Sequence, residues 1–137
     1  MQIHSDPTPA RVVINNCLYT GNLSRDAGAI QNDEGNKLII KNSVFLANDA
    51  DERGGAILNS GELELINSTL LGNTAGLGGG IYNKGQLMVE KSLITSNFAT
   101  TNGGGGIYND GGTVLIRQSN ITGNSPDDCF PDDCSGF

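Results

Sequence analysis

The chain has 137 residues, one domain's worth, with 20 glycines, no tryptophan, seven aromatic residues and a net charge of −7. That charge argues against nucleic acid and against anionic lipid surfaces, since both are held mainly by Lys and Arg. No stretch approaches the ~20 apolar residues of a membrane-spanning helix, so no direct membrane span is expected.

Residues 1–11, with His4, Pro7 and Pro9, contain no apolar core of a secretory signal. They are expected to form a disordered lead-in or an N-terminal edge. From residue 12 to residue 124 one pattern recurs five times: Val12 to Asn22, Leu38 to Asn48, Leu63 to Asn73, Leu87 to Asn97 and Val114 to Asn124. The closing asparagines are separated by 26, 25, 24 and 27 residues, and a period in this range signals a repeat architecture. A glycine-rich segment ending in Ile30, Ile57, Ile81 or Ile107 lies between the copies, followed two residues later by Asn32, Asn59, Asn83 or Asn109.

Within each copy the aliphatic residues stand two apart. Val12, Leu38, Leu63, Leu87 and Val114 form one column, and Ile14, Ile40, Leu65, Val89 and Ile116 the next. Tyr19, Phe45, Leu70, Ile94 and Ile121 form a third. Spacing of two on a mixed background is the mark of half-buried strands, and each repeat offers three short ones. Strands this short, repeated at this period, wind into an all-β, single-stranded parallel β-helix of about five coils rather than a hairpin sheet. At ~4.8 Å per coil the stack is roughly 24 Å long. Asparagines in register can bond along the axis as amide ladders. Asn22, Asn48, Asn73, Asn97 and Asn124 are the expected structural ladder, with Asn32, Asn59, Asn83 and Asn109 a second. Cys17 shares a column with Ser43, Ser68, Ser92 and Ser119, read as small residues at a crowded bend, and is expected to be buried.

Residues 125–137 break the repeat with Pro126, Pro131 and four aspartates and read as a C-terminal cap, with Phe130 folding over the last coil's interior. Cys129 and Cys134, five apart across a proline-containing turn, can pair, and a disulfide would point to an oxidising compartment.

The segments Phe45 to Asn48 and Gly54 to Ile57 match Phe-x-x-Asn and Gly-Gly-Ala-Ile. These paired tetrapeptides resemble the polymorphic outer membrane protein repeats of chlamydial surface proteins. The resemblance covers residues 12–124 and implies a right-handed parallel β-helix, a cell-surface or extracellular location and a passenger segment with adhesive roles. A protein or a surface glycan is the partner it implies.

Little in the sequence announces a reaction. Glycoside hydrolysis needs paired carboxylates, and Glu62, Glu64, Glu90, Asp49, Asp51 and Glu52 form no like-charged pair on adjacent coils. Glu90 faces Arg117 one coil away and is expected to make a surface ion pair. His4, the one histidine, leaves no base for a Ser or Cys nucleophile. A cluster of Asp127, Asp128, Asp132 and Asp133 has the hard oxygen ligands calcium takes, although a solvated acidic cap is the simpler reading. No cofactor motif is present. Leu58, Tyr82 and Tyr108 stack on successive coils and are expected to point outward as an exposed binding strip, or else to stabilise the sheet as an aromatic ladder. The reading is a non-enzymatic binding or adhesion scaffold. Its alternative is a structural or linker subunit of a larger, even intracellular, assembly, docking by strand addition at an open coil edge or through the tyrosine strip. A polysaccharide-active enzyme ranks third.

Overall fold

The two-residue spacing of aliphatic side chains gives each repeat one face for a lumen and one for solvent, and the observed coils follow that division. The computed structural model describes residues 1–3, 9–132 and 134. It is an all-β parallel solenoid of about five coils in which like strands stack in register on the next turn. Sheet A holds Gln2–Ile3, Ile30–Asn32, Ile57–Asn59, Ile81–Asn83, Ile107–Asn109 and Cys129–Phe130. Sheet B holds Arg11–Asn15, Lys37–Lys41, Glu62–Ile66, Gln86–Glu90 and Thr113–Arg117. Sheet C holds Leu18–Thr20, Val44–Leu46, Thr69–Leu71, Leu93–Thr95 and Asn120–Thr122. A fourth ribbon, sheet D, is built from Leu23–Ser24, Asp49–Ala50, Thr74–Ala75 and Phe98–Ala99. A full coil thus has four strands and not the three that its alternation predicts. The fourth is only two residues long, with Ala50, Ala75 and Ala99 buried, and such a pair leaves no visible alternation.

The inward columns fill the lumen. Ile30, Leu38, Phe45, Ile57, Leu63, Leu70, Ile81 and Ile94 are fully enclosed, and Tyr19 stacks on Phe45 with ring centroids 4.9 Å apart. Each coil buries its apolar face only against its neighbours, so the enclosed residues belong to the middle coils.

Two hydrogen-bonded ladders run beside this core along the expected asparagine columns. Asn48 Nδ2 donates to Asn73 Oδ1 at 2.9 Å, and Asn73 Nδ2 to Asn97 Oδ1 at 2.9 Å. The same acceptors take backbone N–H groups, Asn48 N to Asn73 Oδ1 at 3.0 Å and Asn73 N to Asn97 Oδ1 at 2.9 Å. Each carboxamide therefore holds both a side chain and the main chain of the preceding coil.

The serine column is a third ladder and not merely a row of small residues. Ser43 N donates to Ser68 Oγ at 3.1 Å and Ser68 N to Ser92 Oγ at 3.1 Å, while each hydroxyl donates to the carbonyl two residues back. Cys17 corrects the expectation of burial. It sits in the outermost coil and is exposed, its thiol donating to Asn15 O at 3.5 Å.

Both ends carry a strand outside the repeats. Gln2–Ile3 is a strand paired with Gln31 and Asn32, so the lead-in contributes to sheet A; His4 and Pro7 lie outside the described residues. At the other end Cys129–Phe130 pairs with Ile107–Tyr108. Cys129 points into the core and is joined to Cys134 by a disulfide, with Cα atoms 5.3 Å apart. Phe130 points the opposite way and stacks on Tyr108 at 5.1 Å instead of covering the lumen. Alternation along a strand enforces this: once Cys129 faces inward, its neighbour cannot.

Candidate functional site

The corner between sheets A and B is where the coil leaves a concave surface. Each turn here begins at an asparagine of the second ladder: Asn32 Nδ2 donates to Asn59 Oδ1 at 2.9 Å, Asn59 Nδ2 to Asn83 Oδ1 at 2.8 Å, and Asn83 Nδ2 to Asn109 Oδ1 at 3.0 Å. The amides also hold the turn itself. Asn59 reaches Gly61 O at 3.2 Å, Asn83 reaches Gly85 O at 3.2 Å, and Asn109 reaches Gly112 O at 2.9 Å. A Cβ on Gly61 would lie 2.5 Å from Asn36 O and 2.6 Å from Asp33 O, so successive turns stack only because this position has no side chain. At the first rung Ile3 occupies the asparagine column, and Asn32 Oδ1 is buried without a donor among the described residues.

These stacked turns line a groove of about 480 Å³ that crosses four coils, from Glu34–Lys37 through Ser60–Glu62 and Lys84–Gln86 to Gly111–Thr113. A shallower depression of about 280 Å³ continues it over sheet B past Glu64 and Met88. The floor is glycine backbone and the walls are hydroxyl, amide and charged side chains. Lys37 Nζ is 2.9 Å from Glu62 Oε1 and 3.7 Å from Glu64 Oε1, and the hydrogen bond to Glu62 raises the Lys37 pKa. Exposed Lys84 carries no ion pair among the described residues. Such a lining can hydrogen-bond an elongated polar chain.

The expected strip of Leu58, Tyr82 and Tyr108 is aligned as read, but it is not an exposed surface. Leu58 is 4% and Tyr82 5% exposed. The loop entering each strand folds back over it: Gly78 has φ +67°, and a Cβ there would lie 2.9 Å from Tyr82 N. Arg53, in the preceding loop, sets its guanidinium 5.6 Å from the Tyr82 ring centre and also pairs with Asp26 at 3.4 Å. Tyr82 and Tyr108 stack at 5.2 Å, and Phe130 extends the row. Tyr82 Oη donates to Asp110 Oδ2 at 2.6 Å. Burial, reinforced by this bond, pushes the Tyr82 pKa up to about 12. Of Leu58, Tyr82 and Tyr108, Tyr108 is the one partly open to solvent.

The acidic cap residues have structural partners. Asp128 Oδ1 accepts from Asn124 N and Asn124 Nδ2, both at 2.9 Å, standing where the next coil's asparagine would be. Asp127 Oδ1 accepts from the Gly104 N–H. Asp132 is exposed, and Asp133 lies outside the described residues. Among the described residues no group of three His, Cys, Asp or Glu is gathered as a metal site. Glu90 and Arg117 are register partners as expected, yet their charged groups do not close into an ion pair.

Sequence reasoning missed the groove, the serine ladder and the role of Asp128. The serine column carried a signal, since a hydroxyl kept in register can bond just as an amide can. Asp128 follows Asn124 by four residues rather than a full period, so column alignment could not place it.

Stacked parallel strands, amide ladders and glycine turns define the chain as a β-solenoid repeat protein. Residues 67–84, running from the sheet C strand through the glycine loop to the sheet A strand, match the model of the Chlamydia polymorphic membrane protein repeat. The fold is consistent with a protein built from repeats of that type. No curated protein and no solved structure matches the chain.

Proposed function

We propose that this chain is a non-enzymatic scaffold of the surface-repeat kind, which binds an elongated polar partner, a glycan chain first among them, along the groove between sheets A and B. The observation that carries this reading is the groove itself: a rigid glycine floor repeated over four coils, with a different side chain on each rung. The ladders fix the floor, so Ser60, Lys84, Gln86 and Thr113 can vary without disturbing the coil. A surface role is supported by the repeat match at residues 67–84 and by the Cys129–Cys134 disulfide, a bond typical of oxidising compartments.

The test is a glycan array probed with the labelled chain and with its Lys84→Glu/Gln86→Ala variant, both checked for an unchanged circular dichroism spectrum. Retention of one glycan class by the parent, weakened at least ~10-fold in the variant, supports the reading; losing one charged hydrogen bond accounts for about that much. No retained glycan, or equal retention by both proteins, contradicts it.

A further inference from the structure

We propose that the outward face of sheet C is a self-association surface that seats a second copy of this chain. The argument begins with charge. The outward positions of sheet C are residues 18, 44, 69, 93 and 120 in one row and 20, 46, 71, 95 and 122 in the other, and none of the ten is charged. Sheet B, by contrast, presents Arg11, Lys37, Lys41, Glu62, Glu64 and Arg117 outward, and the outward face of sheet A lies under its own loops.

Leu46 and Leu71 stand at the centre of the sheet C face, 38% and 36% exposed, with Val44 and Leu93 beside them and Leu18 at the rim. Phe98 continues the apolar surface across the corner into sheet D. Taking roughly 200 Å² for a large apolar side chain, these six apolar residues expose on the order of 500 Å², to which the intervening threonines add uncharged surface. One partner of a stable interface contributes ~800 Å², and a contiguous apolar patch on a monomer rarely exceeds a few hundred.

The occupant follows from the same features. The full chain carries −7, so two copies repel in most orientations, and an uncharged face is where they can approach without burying a charge. A two-fold pairing buries the same rows from both copies, and rows spaced ~4.8 Å apart on one sheet match the spacing on the other. Flat sheets pack face to face in this way at ~10 Å. The proposal does not depend on the groove or on its ligand.

Sedimentation velocity on the full chain, from about 1 µM to about 500 µM, tests it over the affinity range of a weak to moderate dimer. The expected result is a concentration-dependent dimer that tightens as salt screens the net charge. Leu46→Glu/Leu71→Glu should weaken the dimer at least ~100-fold by burying charge at its centre. Thr69→Lys on the same face gives a second reading should the double variant fail to fold. Val13→Glu, on sheet B, should leave the dimer intact. A parent that stays monomeric throughout overturns the proposal, whether or not it floats with phosphatidylcholine vesicles. So does a dimer that persists in folded variants of the sheet C face, or one that Val13→Glu weakens equally.

Discussion

Truncating one ladder asparagine tests whether the column holds the coils together or merely accompanies them. Asn73 is fully buried. Its Oδ1 accepts from Asn48 N at 3.0 Å and Asn48 Nδ2 at 2.9 Å, and its own Nδ2 donates to Phe45 O at 3.0 Å and Asn97 Oδ1 at 2.9 Å. In Asn73→Ala, Asn97 Oδ1 keeps the bond from Asn73 N, and Asn48 Nδ2 keeps Tyr19 O. Two buried donors on Asn48, the backbone N–H and one amide hydrogen, are left with nothing. At about 1–3 kcal/mol for each stranded group the loss is about 4 kcal/mol, which corresponds to a melting point lower by roughly 12 °C. Asn22→Ala is the internal control. Asn22 is exposed, and among the described residues its side chain makes a single bond, from Nδ2 to Asn48 Oδ1, so its loss should cost under about 1 kcal/mol. Urea melts of the two variants beside the parent decide the matter. Equal, small losses at both positions would refute the reasoning.

Asp128→Ala removes the acceptor for two Asn124 donors at a half-buried end and should cost about 1–2 kcal/mol by chemical denaturation, whereas Asp128→Asn, which keeps the carbonyl oxygen, should be nearly neutral. The folded chain holds the Tyr82 proton to about pH 12, while an unfolded tyrosine releases it near its ordinary value of 10.0. The unfolded state therefore loses that proton first, and stability falls between about pH 10 and pH 12 by on the order of 2 kcal/mol. Ultraviolet titration should show Tyr82 ionising last, near pH 12, with Tyr19 also raised by its burial. Tyr82→Phe should abolish that step and flatten the stability loss over the same range.

The coil was legible because its requirements repeat. Ile40, Leu65 and Val89 must fill one lumen, and Asn48, Asn73 and Asn97 must bond the next copy of themselves, so each column states its role five times over. The candidate site was poorly legible for the opposite reason. Ser60, Lys84 and Gln86 share a groove only because glycine turns stack beneath them, and nothing in their identities announces a common surface. Tyr82 misled through the same logic that succeeded elsewhere: alternation fixed its direction correctly, but the loop carrying Gly78 and, one coil earlier, the loop carrying Arg53 then covered it. Exposure depends on what packs from outside the strand, and strand periodicity carries no record of that. Asp128 and Phe130 lie beyond the last full repeat, where there is no column to read.

The account rests on carboxamides that bind coil to coil, and their exchange with solvent measures this directly. Side-chain amide hydrogen exchange of Asn48, Asn73 and Asn97 by nuclear magnetic resonance should be as slow as that of the backbone amides of Leu65 and Val89, since both open only when coils part. Exchange of those carboxamides at the rate of the exposed Asn120 side chain would contradict it.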